Sequence, residues 1–565
     1  MTPRTHWPRL AAALLAVATV PAQGAVQRQS RSASGSDANG LSGVSAISAD
    51  ARFVGFSSAA SNLVANDSNG RVDVFVRDRI TGDIERVSVA TGGGQADLQS
   101  YWPSLSSDGR LVVFHSDASN LVPGDTNGID DVFVRDRLAG TTTRVDVSAI
   151  GAQADGASQA PWISADGRFV AFQSTATTLV PPDNSLTDVF VVELATGAIE
   201  CASRGLGGVL GNGGSYQPSL SADGRYVAFH STSSNLVTGD TNGVRDVFVR
   251  DRQLGTTTRV SVASNGVQGN NTSWRATISC DGNTVAFNSL ATNLVAGDTN
   301  GTDDVFVHDI ALGTTERASV SSTAAQGTGS AGLDSAPDLS DDGRYVAFLT
   351  AMSGLVADDV NGLTDAFVHD RTTGSTRRVS EDAAGVPGSL GASVQIVFPV
   401  HFWTDRVDLS GDGRVVVFAS RSADLFPGGA SFENVYATDL GVAAVETGPA
   451  TLGGVATVDL SANAYAGMGY IAAFAFGYQS GVVLPGTWRM PLDADGLFGL
   501  SVGAGGIFSN MSGALDATGH TQWGVAIPPF PFLLGVPMST AAAIVDASAP
   551  LGLWSVSNVV RFTIH

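Results

Sequence analysis

The sequence predicts an all-β fold, with a seven-bladed β-propeller over residues 25–440 and a β-sandwich-like C-terminal domain over residues 441–565. A unit marked by a Ser-x-Asp turn recurs seven times, which is typical of repeat architectures. Each copy divides into four short segments that alternate apolar and polar residues, as strands do. The chain has 67 glycines and is 43% hydrophobic, which favours many tight turns around substantial cores and excludes a disordered protein.

The Ser-x-Asp turn is the clearest landmark of the repeat. In the fourth copy it joins two strands in PSLSADGRYVAFHS, and a long acidic loop then leads to a third strand (DVFVRDR) and a fourth (TTTRVSV). Four-stranded units repeated around a ring are propeller blades. The seven turn aspartates, spaced by 57 to 70 residues, are Asp50, Asp108, Asp166, Asp223, Asp281, Asp342 and Asp412.

The two ends of the repeat predict how the ring closes. The seventh unit has three strands (VDLSGDGRVVVFAS, then NVYATDLG) but no equivalent of TTTRVSV. Val26 to Ser34 (VQRQSRSAS) resembles that fourth strand and precedes the first complete copy. We therefore expect the N-terminal segment to complete the last blade, because this leaves no free sheet edge. A linear solenoid would need capping ends instead.

Residues 1–24 have the pattern of a secretory signal peptide. Arg4 and Arg9 accompany a short apolar run, and small residues follow at the cleavage spacing. The run is too short to span a bilayer, and no later segment reads as a transmembrane helix. We therefore expect a secreted or periplasmic protein. Its two cysteines, Cys201 and Cys280, lie two repeats apart and are expected to be free thiols.

The net charge argues against some classes of partner, and the C-terminal segment suggests a second β-rich domain. A net charge of −22 argues against nucleic acid or an anionic membrane as a partner. Beyond residue 440 the repeat stops, and prolines interrupt apolar runs such as GVAIPPFPFLLGVP. They argue against a helical or membrane-spanning segment, and the short apolar runs favour a sandwich. The oligomeric state stays open.

The repeated pattern P-x-L-S-x-D-G-R-x-V-A-F, D-V-F-V-x-D and T-R-V-S-V resembles the PD40 (WD40-like) repeats of TolB-type propellers, over about residues 26–440. The resemblance implies the fold but not the function, since such propellers serve as binding platforms, peptidase gates and occasionally lyases. TolB itself carries an α/β domain before its propeller. Too few residues precede the first blade here for such a domain, so we expect a TolB-like protein rather than TolB.

The acidic loop fits D-x-N-G-x-x-D in five units. Its carboxylate and amide oxygens resemble one side of a cage for Ca²⁺, although the bidentate Glu of an EF-hand is missing. The favoured interpretation is a turn in which Asp side chains cap backbone N–H groups; calcium is the alternative, and no other cofactor is expected. The candidate ligands are Asp67, Asn69, Asp73, Asp125, Asn127, Asp131, Asp240, Asn242, Asp246, Asp298, Asn300, Asp304, Asp359, Asn361 and Asp365.

Residues at the start of each innermost strand vary between units and should ring one mouth of the central channel. The acidic loops emerge on the same face, and residues 387–406 lengthen the rim. Aromatic and arginine side chains around a concavity suit ligand contact; the alternative is that they pack the neck of the channel. The candidate binding residues are Tyr101, Trp102, Gln159, Tyr216, Gln217, Trp274, Arg275, His401, Trp403 and Arg406.

These observations favour an exported, non-catalytic binding module that contacts a protein, peptide or glycan through the channel mouth. One alternative is a propeller enzyme acting on polysaccharide, as a lyase or hydrolase. Catalysis would need converging groups, and the sequence offers only His401, Asp405 and Arg406, all from one insertion. A structural envelope protein is the other alternative.

Overall fold

The computed structural model describes residues of a first unit, Gln23–Leu440, and, beyond residue 440, strands only. The described residues of the first unit are 26–329, 335–359, 361–382, 385–390, 392, 396–397, 402–403, 406–425 and 432–440. The C-terminal strands are Val455–Ser461, Gly469–Phe476, Val482–Leu484, Trp488–Met490, Ser512–Ala514, His520–Ala526, Pro537–Val545, Ser555–Val556 and Val560–Thr563. The predicted β-sandwich of 441–565 otherwise lies outside the described residues.

The first unit is a β-propeller of seven four-stranded antiparallel sheets, as predicted. The strands of each of the first six blades pair in chain order. Blade 1 contains Ser42–Ile47, Phe53–Ser58, Asp73–Asp78 and Ile84–Arg86; blade 2 contains Ser100–Leu105, Leu111–Ser116, Asp131–Asp136 and Thr141–Arg144; blade 3 contains Ser158–Ile163, Phe169–Ser174, Asp188–Glu193 and Ala198–Cys201; blade 4 contains Ser215–Leu220, Tyr226–Ser231, Asp246–Asp251 and Thr256–Arg259.

The remaining blades follow the same order. Blade 5 contains Ser273–Ile278, Thr284–Ser289, Asp304–Asp309 and Thr314–Arg317; blade 6 contains Asp338–Leu339, Tyr345–Thr350, Asp365–Asp370 and Ser375–Arg378; blade 7 contains Asp408–Leu409, Val415–Ser420 and Asn434–Asp439. A hairpin of Ile396–Val397 and Phe402–Trp403 precedes blade 7, and short 3₁₀ turns occur at Leu206–Gly208 and Ala423–Leu425. Among the described residues, no helix is both long and apolar enough to cross a membrane.

The N-terminal strand Gln27–Arg28 is the fourth strand of blade 7. It pairs antiparallel with Tyr436 and Ala437 in the third strand of that blade. The backbone N–H of Gln29 continues the ladder by donating to the Val435 carbonyl at 2.7 Å. The ring is therefore closed by chain segments that are about 400 residues apart in sequence.

Stacked rings hold the two central strands of every blade together. A Phe from the second strand packs on a Phe or Tyr of the third, with ring centroids 5.8 to 6.1 Å apart. Apolar side chains from consecutive blades then form a separate core in each interface, such as Val74 and Val76 of blade 1 with Val112 and Phe114 of blade 2. Burying each such side chain stabilises the fold by about 1.5–3 kcal/mol.

The Ser-x-Asp-Gly turn between the first and second strands sits against the preceding blade. In blade 2 the Ser106 hydroxyl donates to Asp108, and the same carboxylate accepts from the Arg110 N–H. Gly109 has φ +65°, and a Cβ there would lie 2.4 Å from the Phe53 ring of blade 1. Glycine thus recurs because the turn needs a left-handed residue and leaves no room for a side chain.

Candidate functional site

The acidic loops are ordered by arginine side chains from the fourth strands. In blade 4, Arg259 Nη1 lies 3.2 Å from Asp240 and 3.4 Å from Asp246. Asn242 donates to Asp246 at 2.8 Å, and Ser261 donates to the other oxygen at 2.6 Å. Arg86, Arg144 and Arg317 make the same double contact in blades 1, 2 and 5. In blade 6 the corresponding Arg378 pairs with Asp358.

These contacts give the paired carboxylates a cationic partner within the chain. Burial raises the pKa of Asp240, aided by Asp246 and opposed by Arg259, so the guanidinium offsets part of the charge of the two carboxylates. The part of the chain that the structure describes contains no group of three or more His, Cys, Asp or Glu arranged to hold a metal ion. The turn interpretation of D-x-N-G-x-x-D and the calcium alternative both stay predictions.

Chelation and substitution should separate the two interpretations of the loops. We expect EDTA to leave the melting temperature within about 1 °C, because an arginine already pairs with the loop carboxylates in blades 1, 2, 4, 5 and 6, whereas a bound ion would stabilise by mass action. Arg259→Gln should destabilise the fold by about 2 kcal/mol, since it leaves buried carboxylates undercompensated. Calorimetry with and without EDTA and Ca²⁺ measures both effects. A large EDTA effect that Ca²⁺ reverses would contradict the turn interpretation.

The first strands of blades 2 to 5 share a β-bulge at the channel mouth. Strand pairing shifts register after Tyr101, Gln159, Tyr216 and Trp274. The next residue in each strand has a positive φ of 48° to 60°, a conformation that non-glycine residues rarely adopt; these residues are Trp102, Ala160, Gln217 and Arg275. All four line one cavity. A bulge re-aims a side chain, and here it happens at the same place in four consecutive blades.

The cavity lies in the channel between first strands of blades 2 to 7. The cavity has a volume of about 40 Å³, and the whole depression, including open solvent, measures about 430 Å³. Four predicted residues line it, namely Trp102, Gln217, Arg275 and Arg406. The other lining residues are Ala160, Trp162, Pro218, Ala276, Thr277 and Ala336, so none of the described lining residues is a His, Asp or Glu.

The other predicted mouth residues have different surroundings. Tyr101 and Trp274 are each only 6% exposed, and neither is among the described residues that line the cavity, so their contact with a ligand stays a prediction. Tyr216 stacks on His230, and Gln159 donates to Asp130 at 2.5 Å. His401 lies outside the described residues, and Trp403 is described only as part of a strand.

Arg406 connects opposite sides of the channel. Its Cζ lies 4.0 Å from the centroid of the Trp162 ring in blade 3, and its Nε lies 2.9 Å from Asp408 Oδ1. Stacking on an aromatic face and pairing at Nε fix the plane of the guanidinium. The side chain is 6% exposed, and Nη1 makes no hydrogen bond within the part of the chain that the structure describes.

Two carboxyl groups lie one step further along the first strands. Burial raises the pKa of Asp408 to about 8, opposed by Arg406 and aided by Asp338. Burial likewise raises the pKa of Asp338 to about 6, while Arg406 and the Leu409 N–H, which donates to Oδ2 at 2.8 Å, oppose the shift. The sequence prediction missed Trp162, Asp338 and Asp408. They follow the predicted ring by two residues, and alternate strand residues share a face, so the pattern could have indicated them.

The backbone of Arg275 forms a hydrogen bond with a buried histidine. Its backbone N–H donates to His230 Nδ1 at 3.2 Å. Burial holds the pKa of His230 well below its ordinary value, with Arg245 and Arg275 acting in the same direction. The neutral ring can therefore accept this hydrogen bond, and it fixes the strand at the position where the guanidinium enters the channel.

Both cysteines are free, as predicted. Cys201 is buried, and burial raises the pKa of its thiol to about 11. Cys280 is partly exposed and donates to Asp341 Oδ1 at 2.8 Å.

Comparison with known proteins finds only distant structural similarity. No family model and no curated protein matches the chain. Among solved structures it is similar to the putative TolB of Agrobacterium tumefaciens, at 16% identity over 49% of this chain and 80% of that chain, with a TM-score of 0.32. The WD40 repeats of RRP9 match at 9% identity over 74% of this chain and 97% of that chain, with a TM-score of 0.38. Similarity at this level transfers no function.

Proposed function

We propose that this chain is an exported, non-catalytic binding module of the TolB-like (PD40) propeller type, which contacts a protein, peptide or glycan through the channel mouth. The observation that carries the proposal is the cavity in which Trp102, Gln217, Arg275 and Arg406 converge from four blades. Apolar walls with a few placed polar groups are typical of ligand sites.

Two further features support the proposal. The described lining residues supply cations, an amide and a hydroxyl, which can orient a ligand, but no carboxylate or imidazole that could serve as general acid or base. Residues 1–24 have the composition of a signal peptide, which supports a secreted or periplasmic location.

Trp102 offers the sharpest test of the mouth. Screening the full chain against peptide and glycan arrays and cell-wall fragments should identify retained ligands, and Trp102→Ala should reduce that retention by about tenfold or more, as expected for a central aromatic contact. Alanine should be tolerated there, since Ala160 holds the same position in blade 3 with φ +50°.

The control for this test is Leu138→Ala. Leu138 is 80% exposed in a turn on the opposite face of the propeller, so the substitution removes apolar surface away from the mouth. Retention that survives Trp102→Ala in a protein with unchanged melting temperature would move the binding site away from the channel mouth.

A further inference from the structure

Arg406 lines the cavity and has one buried donor, Nη1, that makes no hydrogen bond to the described residues. Trp162 covers one face of the guanidinium, and Asp408 takes Nε. Buried donors are nearly always satisfied in folded proteins, so an unsatisfied one beside a cavity indicates a missing acceptor.

The charge balance of the channel favours an anionic acceptor. Arg275 and Arg406 are the charged groups in the ring that lines the cavity. Asp338 and Asp408 lie deeper, and burial shifts both toward their neutral forms. Neither carboxyl group is among the described residues that line the cavity, so the charged groups that line it are the two arginines.

The size and walls of the cavity select the group that enters. A cavity volume of about 40 Å³ admits a group of a few atoms, and arginine binds planar carboxylates through parallel N–H donors. Trp102, Pro218 and Ala276 form apolar walls beside the arginines, which suits a carboxylate attached to a carbon skeleton.

The charge of the whole chain distinguishes a single carboxylate from a polyanion. A net charge of −22 repels an acidic polysaccharide that carries a charge on every residue. One carboxylate at the end of an otherwise uncharged chain meets much less repulsion. The small cavity volume likewise suits a chain end rather than the middle of a polymer.

We propose that the channel binds the terminal α-carboxylate of a peptide, with Arg406 and Arg275 as its donors and Trp102 against the preceding residue. This inference rests on the function proposed above and names the ligand class of the same site. The two arginines recognise the carboxylate, whereas the tryptophan contributes to affinity for any chain that enters.

The test compares three sets of probes on the full wild-type chain. The first is an array of N-acetylated random hexapeptides with free carboxylates, the second is the same array as C-terminal amides, and the third contains neutral and uronate oligosaccharides. We expect the free acids to bind at least about tenfold more tightly than the amides, because a charge-assisted pair is lost on amidation. This comparison requires no variant to fold.

Substitutions then assign the contacts. Arg406→Gln and Arg275→Gln should each remove the preference for the free acid, and glutamine is acceptable at position 275 because Gln217 occupies the same position in blade 4 with φ +48°. Arg168→Gln is the matched control, since that arginine forms an exposed ion pair with Glu193. It should leave the preference unchanged.

The outcomes separate this inference from the proposed function. Equal binding of acids and amides, with loss of both in Trp102→Ala, would overturn the carboxylate inference and support the mouth as a binding site. Arginine-dependent retention of uronates in place of peptides would overturn the peptide assignment. Binding that resists Trp102→Ala and both arginine substitutions would overturn the inference together with the proposed function.

Discussion

Removal of residues 26–34 is expected to destabilise the propeller by about 5 kcal/mol and to lower its melting temperature by roughly 6 °C. Val26 is buried with Phe418 and Tyr436, and burial of one such side chain contributes about 1.5–3 kcal/mol. The strand Gln27–Arg28 adds backbone hydrogen bonds worth roughly 1 kcal/mol each.

The same segment also ties blade 7 to blade 1. The Ser30 hydroxyl donates to Asn434 at 2.9 Å, and the carbonyl of Arg31 accepts from Arg77 Nη1 of blade 1 at 2.7 Å. Without the segment, the third strand of blade 7 becomes an open edge, so we also expect aggregation.

Calorimetry of the deletion variant against a chain that begins at residue 26 measures the loss. Ser30→Ala provides a graded case and should cost about 1 kcal/mol, because it removes the hydroxyl that bonds Asn434 and Val435. A synthetic peptide of residues 26–34 should restore part of the lost stability. An unchanged melting temperature after deletion would show that the ring does not depend on this strand.

The propeller could be predicted because its signals are local and repeated. Turn chemistry, strand alternation and spacing each recur in seven copies, so an error in one copy is corrected by the others. The closing segment was recognisable for the same reason, since VQRQSRSAS resembles the fourth strand that the first six units contain. Glycine at the Ser-x-Asp turn was equally readable, although Ala51 takes its place in blade 1 with φ +61°.

The site was harder to predict because it depends on contacts between distant segments. Asp240 and Asp246 resembled metal ligands while only their own loop was considered, but Arg259 comes from another strand. Whether an aromatic side chain at the mouth is buried or lines the cavity depends on contacts with other blades. Tyr101 packs against Val72 of blade 1, whereas Trp102, the next residue, lines the cavity. The β-bulge that separates them leaves no fixed residue type in the sequence.

Asp146→Ser is expected to stabilise the protein by about 3 kcal/mol at pH 8 and to have little effect near pH 4. Blade 2 has an aspartate where the other blades have a serine that donates to the first residue of the third strand, as Ser88 does to Asp73 at 2.6 Å. Asp146 is fully buried, and its carboxyl group lies within hydrogen-bonding distance of the Asp131 carboxyl group.

The physical reason is a proton that the folded state retains. Burial raises the pKa of Asp146 well above its ordinary value, and the neighbouring Asp131 carboxylate raises it further. Unfolded aspartate releases its proton near pH 3.9, so the favourable contribution of the protonated form is complete below that pH. It is lost as the pH rises toward the folded-state pKa, because the native state must then keep a proton or accept two buried negative charges.

Other charges around Asp131 and Asp146 do not remove the cost of ionising both carboxyl groups. Arg144 lies 3.1 Å from Asp131 and 3.4 Å from Asp125, so it already serves two carboxylates. Burial raises the pKa of Asp125 to about 6, which shows that the cluster has more negative charge than one arginine compensates. An uncompensated buried charge costs about 3–5 kcal/mol, and serine avoids it while keeping the donor that the repeat uses.

Urea denaturation from pH 4 to pH 8 measures the free energy of unfolding of each variant. Ser88→Asp in blade 1 is the reciprocal control. The wild-type chain should lose stability with rising pH, Asp146→Ser should flatten the profile, and Ser88→Asp should steepen it by a similar amount. The last variant matters most, because it transfers the proposed proton site to a blade that has the same Asp, Asn and Arg partners. If Asp146→Ser lowers stability equally at both ends of the range, the pair of carboxylates does not share a proton.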